Sequence, residues 1–204
     1  MDFDVISKSL KKAVDVFVAN VVAYIVGFLI TMIGSCLIVT MAPLMFSLYR
    51  MAIKGSRGEK VEIKDIFYGF SSGSIFIRSW IGFLGFMAPF IVIMVAYAII
   101  SAILAAIKLG FIAIFLYFVV LIIFFVLMIF LYFTMFIYVM TPSQNIIFAL
   151  KESFGISKSN IVMTILTIII AGFCGILFVT APLGYIFAVY MLKDSLAPGI
   201  KDES

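Results

Sequence analysis

The residues in this chain that can do chemistry are few, and their spacing keeps them apart. There is no histidine, and the only cysteines are Cys36 and Cys174. Zinc or haem ligation of the usual kind has no donor set to draw on. Asp, Glu, Lys and Arg are absent from four stretches, 16–49, 79–107, 109–150 and 159–192, which together hold 139 of the 204 residues. An enzyme acting within them would need an acid, a base or a metal site that they do not assemble. The chain is therefore read as no enzyme, with no cofactor and no catalytic residue.

What polarity remains inside those stretches is neutral. Pro43 and Pro182 each remove a backbone donor and free a carbonyl, which in hydrocarbon must find another partner. Thr40 and Thr180, just upstream, can supply one. Such broken helices can frame a small cavity, as in transporters with repeated halves; the structural alternative is a kink that lets short hairpins pack. Asn20 and Asn160 can line a polar vestibule or bond between helices. Gly82, Gly85 and Ala88 form a small-residue stripe suited to helix contact, and Trp80 and the tyrosines suit interfacial or core positions. Cys36 and Cys174 can pair in an oxidising compartment or remain two separate thiols.

The charged residues sit between the stretches. Residues 50–64 carry Arg50, Lys54, Arg57, Lys60 and Lys64 against Glu59 and Glu62. That balance suits contact with anionic lipid heads or an acidic partner, or a loop that fixes topology. The net charge of +4 comes with no aromatic-interleaved basic patch, so nucleic acid is not an expected partner.

The elements that must position these residues follow from length and hydropathy. With 66% hydrophobic residues, 12% charged and a mean hydropathy of +1.33, the chain is an all-α integral membrane protein. Residues 2–15 read as an interfacial amphipathic helix, with Phe3, Ile6, Leu10, Ala13 and Val14 on one face. The 34 residues of 16–49 would make a helix of about 50 Å, too long for a hydrocarbon core of about 30 Å. A hairpin turning at Gly34-Ser35-Cys36 resolves this, and 159–192 repeats the case around Gly172–Gly175. Thr141 as N-cap, Pro142 at the first helical position and Gln144 in a capping box predict a further helix over 142–156.

Six transmembrane helices in three hairpins result: 16–33 with 36–53, 79–107 with 110–140, and 159–173 with 175–192. Interfacial helices at 2–15, 63–72 and 142–156 precede them. This arrangement puts 13 of the 14 Lys and Arg residues on one side, Lys108 alone opposing, whereas four spans would divide them 8 to 6. The positive-inside bias therefore predicts a cell-membrane protein with both termini cytoplasmic.

The end hairpins also match in sequence. A shift of 140 residues aligns Leu10, Lys11, Asn20, Val22, Ile25, Ile30 and Thr40 with Leu150, Lys151, Asn160, Val162, Ile165, Ile170 and Thr180. One residue further, Ala42-Pro43-Leu44 aligns with Ala181-Pro182-Leu183. This predicts a parallel internal repeat.

The run KDIFYGF (Lys64 to Phe70) and the run ALKESFGISKSN (Ala149 to Asn160), set among these hairpins, resemble a group of uncharacterised prokaryotic multi-pass membrane proteins. Related domains are similar to the membrane domain fused to some glycerophosphodiester phosphodiesterases. The resemblance implies a fold; the phosphodiesterase catalytic domain has no counterpart in these residues, so its activity does not carry over. The expected role is a membrane scaffold that engages lipids, a protein partner or a second copy of itself. The competing reading is a transporter or pore for a small neutral or apolar solute.

Overall fold

The computed structural model describes residues 3–176, 180–197 and 200. Among these residues every regular element is helical. The helices are α1 (Phe3–Ala19), α2 (Val21–Gly34), α3 (Ile38–Ser56), α4 (Gly73–Ala106), α5 (Gly110–Leu131), α6 (Thr134–Met140), α7 (Ile146–Ser159), α8 (Ile161–Ile176) and α9 (Ala181–Met191). A 3-10 segment, Ile63–Phe70, lies between α3 and α4, and a π turn, Leu192–Leu196, extends α9.

Two helical runs are long and apolar enough to cross a membrane. The most apolar 18 residues of Gly73–Ala106 have a mean hydropathy of 2.5, and those of Gly110–Met140, which joins α5 to α6, reach 3.4. Two further pairs qualify if each bent pair is one span: Asp4–Ala19 with Val21–Gly34, bent by 87°, and Ile146–Ser159 with Ile161–Ile176, bent by 106°. The protein is thus an all-helical membrane protein with two clear spans, or up to four.

Amphipathic periodicity explains both bent pairs. In α1, Ser9, Ala13 and Phe17 recur every fourth residue and are buried, while Lys8, Lys11 and Lys12 stay exposed. The helix ends at Asn20, where the polar face gives way to the uniformly apolar α2. The α1 boundary therefore falls at Ala19, beyond the expected 15, because Val16 and Phe17 continue the packed face of α1. The pair α7 and α8 repeats this change of character at Asn160.

The packed centre is formed by α3, α6 and α9. All residues from Phe133 to Met140 are buried, as are Leu44, Met51 and Ile53 of α3 and Ile186–Val189 of α9. The α4–α5 hairpin contrasts with this core. None of residues 91–119 is buried, and the half-buried positions 93, 97, 101 and 104 recur at helical spacing toward α5. Tyr97 and Tyr117 meet there with ring centroids 6.0 Å apart. Val92, Ile99, Phe111 and Phe115 are all exposed along this surface. Water would be a poor solvent for so continuous an apolar face, and hydrocarbon is its natural one.

Two expectations are corrected. The helix expected over 142–156 begins at Ile146, because Asn145, not Thr141, is its N-cap: the Asn145 side chain accepts from the Phe148 amide at 2.9 Å. Thr141 instead donates to the Ile137 carbonyl at 2.8 Å and closes α6. Gly172 and Gly175 lie within α8, which runs on to Ile176, so they do not form the turn of the last hairpin. The expected 110–140 span stands as one apolar run, Gly110–Met140, with a break in the helix at Tyr132–Phe133. Residue 2 of the first interfacial helix and 177–179 of the last hairpin lie outside the described residues.

Candidate functional site

The prolines and threonines singled out above act at the turns and contacts of the hairpins. Pro43 is buried in the second turn of α3. Its carbonyl accepts from Ser47 Oγ at 2.8 Å, and Ser47 Oγ in turn accepts from the Gly69 amide at 2.7 Å. This docks the 3-10 segment on α3. Pro182 lies in the first turn of α9, where a missing N–H leaves no intrahelical bond unmade. Thr40 Oγ1 bonds to the carbonyls of Gly34 and Leu37, and Thr180 Oγ1 to that of Cys174. Both hydroxyls thereby tie the second leg of a hairpin to the end of the first.

Asn20 and Asn160 both sit at bends. Asn20 reaches outward as well: its Oδ1 accepts from the Val61 amide at 3.0 Å, pinning the basic segment to the α1–α2 corner. Cys36 and Cys174 are free thiols.

The five cations of 50–64 divide by environment. Lys54 pairs with Asp65 at 2.7 Å, both side chains largely covered, and Lys64 pairs with Glu62 at 2.7 Å in the open. Arg57 lies 3.6 Å from Glu59, and Lys60 is exposed. Burial pushes the Asp65 carboxyl up, but the Glu62 amide, Lys54 and Arg50 outweigh it and hold the group below the usual aspartate value. The neighbouring Lys64 lowers Glu62 in the same sense.

Arg50 is different in kind. Its guanidinium stacks 3.7 Å from the Tyr68 ring centroid, and it has no hydrogen bond or ion pair among the described residues. Across a small pocket of about 220 Å³ stands Arg78, 4.2 Å from the Tyr138 ring centroid. Phe46 links the two stacks, its ring stacked on Tyr68 and edge-on to Tyr138. Arg78 donates to the carbonyls of Tyr138 (2.8 Å), Thr141 (3.1 Å) and Pro142 (2.7 Å), capping the C-terminus of α6. No carboxylate neutralises either guanidinium within ion-pair distance among the described residues.

The pocket thus combines two positive charges, free donors on Arg50 and aromatic walls. Such a constellation binds anions through charge-assisted hydrogen bonds. Arg50 stood among the sequence candidates; Arg78, Tyr68 and Tyr138 did not. The signal that pointed to Arg78 was its position as the last charged residue before the uncharged stretch 79–107.

Fold and site together define an all-helical integral membrane protein with an arginine pocket at its charged end. Comparison of the chain with protein-family models, with curated proteins and with solved structures gives no match in any of the three.

Proposed function

We propose that this is a non-enzymatic, multi-pass cell-membrane protein whose basic face holds anionic lipid headgroups and so organises membrane around itself, a partner or a second copy. In this reading the chain has six helical segments in three hairpins, and all open ends share the cytoplasmic face with both termini. Supporting it, the charged contacts join open ends to one another: Lys12 of α1 reaches Asp194 after α9 at 2.6 Å, and Arg78 of α4 reaches the α6–α7 turn. Among the described cations, Lys108 alone sits at a hairpin tip.

The duplication of the end hairpins belongs to the same proposal. Its support is the matched bend at Asn20 and Asn160 and the matched bond from Thr40 or Thr180 to a carbonyl six residues earlier. The likeness to the phosphodiesterase-associated membrane domain enters for its fold alone.

One observation carries the functional reading: Arg50 is stacked and partly covered, feels Asp65 only beyond ion-pair distance, and faces a pocket that Arg78 makes more positive. The test is reconstitution in mixed phosphatidylcholine and phosphatidylglycerol, followed by mass spectrometry of the lipid retained through detergent exchange. Wild type should be enriched in phosphatidylglycerol, and Arg50→Gln should lose about fivefold of that enrichment, the worth of a charge-assisted bond near 1 kcal/mol. Lys60→Gln, changing an exposed cation of the same segment, should alter it little. Equal retention of both lipids by wild type, or unchanged enrichment in Arg50→Gln, would refute the reading.

A further inference from the structure

A second cavity, of about 380 Å³, is walled by α3, α5, α8 and α9, and three tyrosines give it a character that packing alone does not explain. Tyr49 comes from α3, Tyr132 from the α5–α6 break and Tyr185 from α9. Their rings gather about Phe136: Tyr49 lies edge-on to it at 4.7 Å, and Tyr132 and Tyr185 each lie 6.2 Å away. Tyr49 and Tyr185 also meet edge-on at 5.3 Å. Each of these phenols lacks a hydrogen-bond partner among the described residues. Tyr24, Tyr97 and Tyr138, by contrast, each donate to a backbone carbonyl.

The remaining wall is apolar and carries no Asp, Glu, Lys or Arg. The mouth lies between α5 and α8, where Met128 and Gly172 are exposed. A β-carbon placed on Gly172 or Gly175 would meet nothing within 4 Å, so both glycines border open space. Tyr49, Tyr132 and Tyr185 are half-buried, so their hydroxyls are reachable from the cavity, and in hydrocarbon three such donors call for an acceptor. Pockets of a few hundred Å³ with apolar walls and a few convergent polar groups are typical of small-molecule sites.

The complementary ligand has an apolar body, no charge and a hydrogen-bond acceptor near one end. Tyr49 adjoins Arg50, whereas Gly175 and Ala181 flank the α8–α9 connection, so the cavity reaches from beside the arginine pocket toward the tip of the last hairpin. A lipid's ester carbonyls lie just beneath its headgroup, and an acyl chain would leave through the mouth beside Gly172. We propose that this cavity holds the ester carbonyl and upper acyl chain of an uncharged glycerolipid, with the three phenols as donors.

The probe is dioleoylglycerol, compared with its dialkyl-ether analogue, which has the same shape without the carbonyl. Retention on the purified full chain is read by native mass spectrometry. Wild type should retain the ester about tenfold better than the ether, one hydrogen bond's worth. The combined Tyr49→Phe, Tyr132→Phe and Tyr185→Phe variant keeps the rings and should bind both lipids alike. Gly172→Leu fills the mouth and should lose both, with unfolding temperatures confirming that each variant is folded. Lys60→Gln, which changes an exposed cation outside the cavity, should leave retention unchanged; the uncharged probe keeps the outcome separate from that of the anionic-lipid test. Equal ester and ether retention by wild type, full retention by Gly172→Leu, or loss in Lys60→Gln would overturn the assignment.

Discussion

Gly69 lies against the backbone of Pro43 so closely that a β-carbon at 69 would stand 2.7 Å from the Pro43 Cα. The same contact carries the Gly69 amide to Ser47 Oγ and Ser47 Oγ to the Pro43 carbonyl. Proline, serine and glycine thus form one joint between α3 and the 3-10 segment. Replacing Gly69 by alanine pushes backbone against backbone, where no flexible side chain can give way. Gly69→Ala should cost about 2–3 kcal/mol, in the range of overpacked cores. Thermal unfolding in detergent measures it, and a neutral result would mean that the joint can open without loss.

Lys54 and Asp65 should make stability depend on pH at the acid end. The Asp65 carboxyl is held below its unfolded value, so its contribution is fully present above the unfolded pKa of about 4 and is lost as pH falls through the folded value. Asp65→Asn should destabilise by about 1–2 kcal/mol at neutral pH, between the exposed and buried limits for such pairs. The difference between wild type and variant should shrink on acidification below about pH 4. Unfolding curves across that interval would show it; a difference that grows would reverse the assigned sign.

Arg78 donates to four carbonyls, that of Tyr138 in α6 and those of Thr141, Pro142 and Gln144 in the α6–α7 turn, while stacking on Tyr138. Lysine keeps the charge but has neither the planar fork nor the stacking face. Arg78→Lys should therefore destabilise by about 2 kcal/mol, the usual worth of bonds to a charged group. Hydrogen exchange should report the loss first in α6 and at the start of α7. Exchange unchanged in those helices would deny the capping role.

The proposed three-hairpin topology has a direct readout in single-cysteine labelling. With Cys36 and Cys174 changed to serine, Lys108→Cys should react with an impermeant maleimide from the outside of intact cells. Lys60→Cys should react only after the membrane is opened. Reaction of both positions from one side would remove the topology.

The amphipathic first helix was legible because the three- and four-residue spacing of Ile6, Leu10, Ala13 and Phe17 is local information. The bend at Asn20 was not legible, because the residue where α1 yields to α2 falls inside the expected span 16–33. The start of α7 was misplaced because Thr141 and Asn145 are both competent caps, and only the turn held by Arg78 selects the second. Gly172 and Gly175 suggested a turn, yet apolar surroundings carry α8 through them. In hydrocarbon, leaving a helix early would strip backbone groups of partners.

By itself, the sequence determined the solvent of this protein. Four stretches without a charged residue demand lipid, and the 34-residue length of the two end stretches predicts that the chain folds back within them. Periodicity and charge placement then set which ends are polar. Only the tertiary structure decided which polar groups meet. Arg50 and Arg78 converge because α3 and α4 both border α6, and Tyr49, Tyr132 and Tyr185 converge because α3, α5 and α9 surround Phe136. Hydropathy acts along the chain one residue at a time; a binding site is made by side chains whose distance depends on how helices cross.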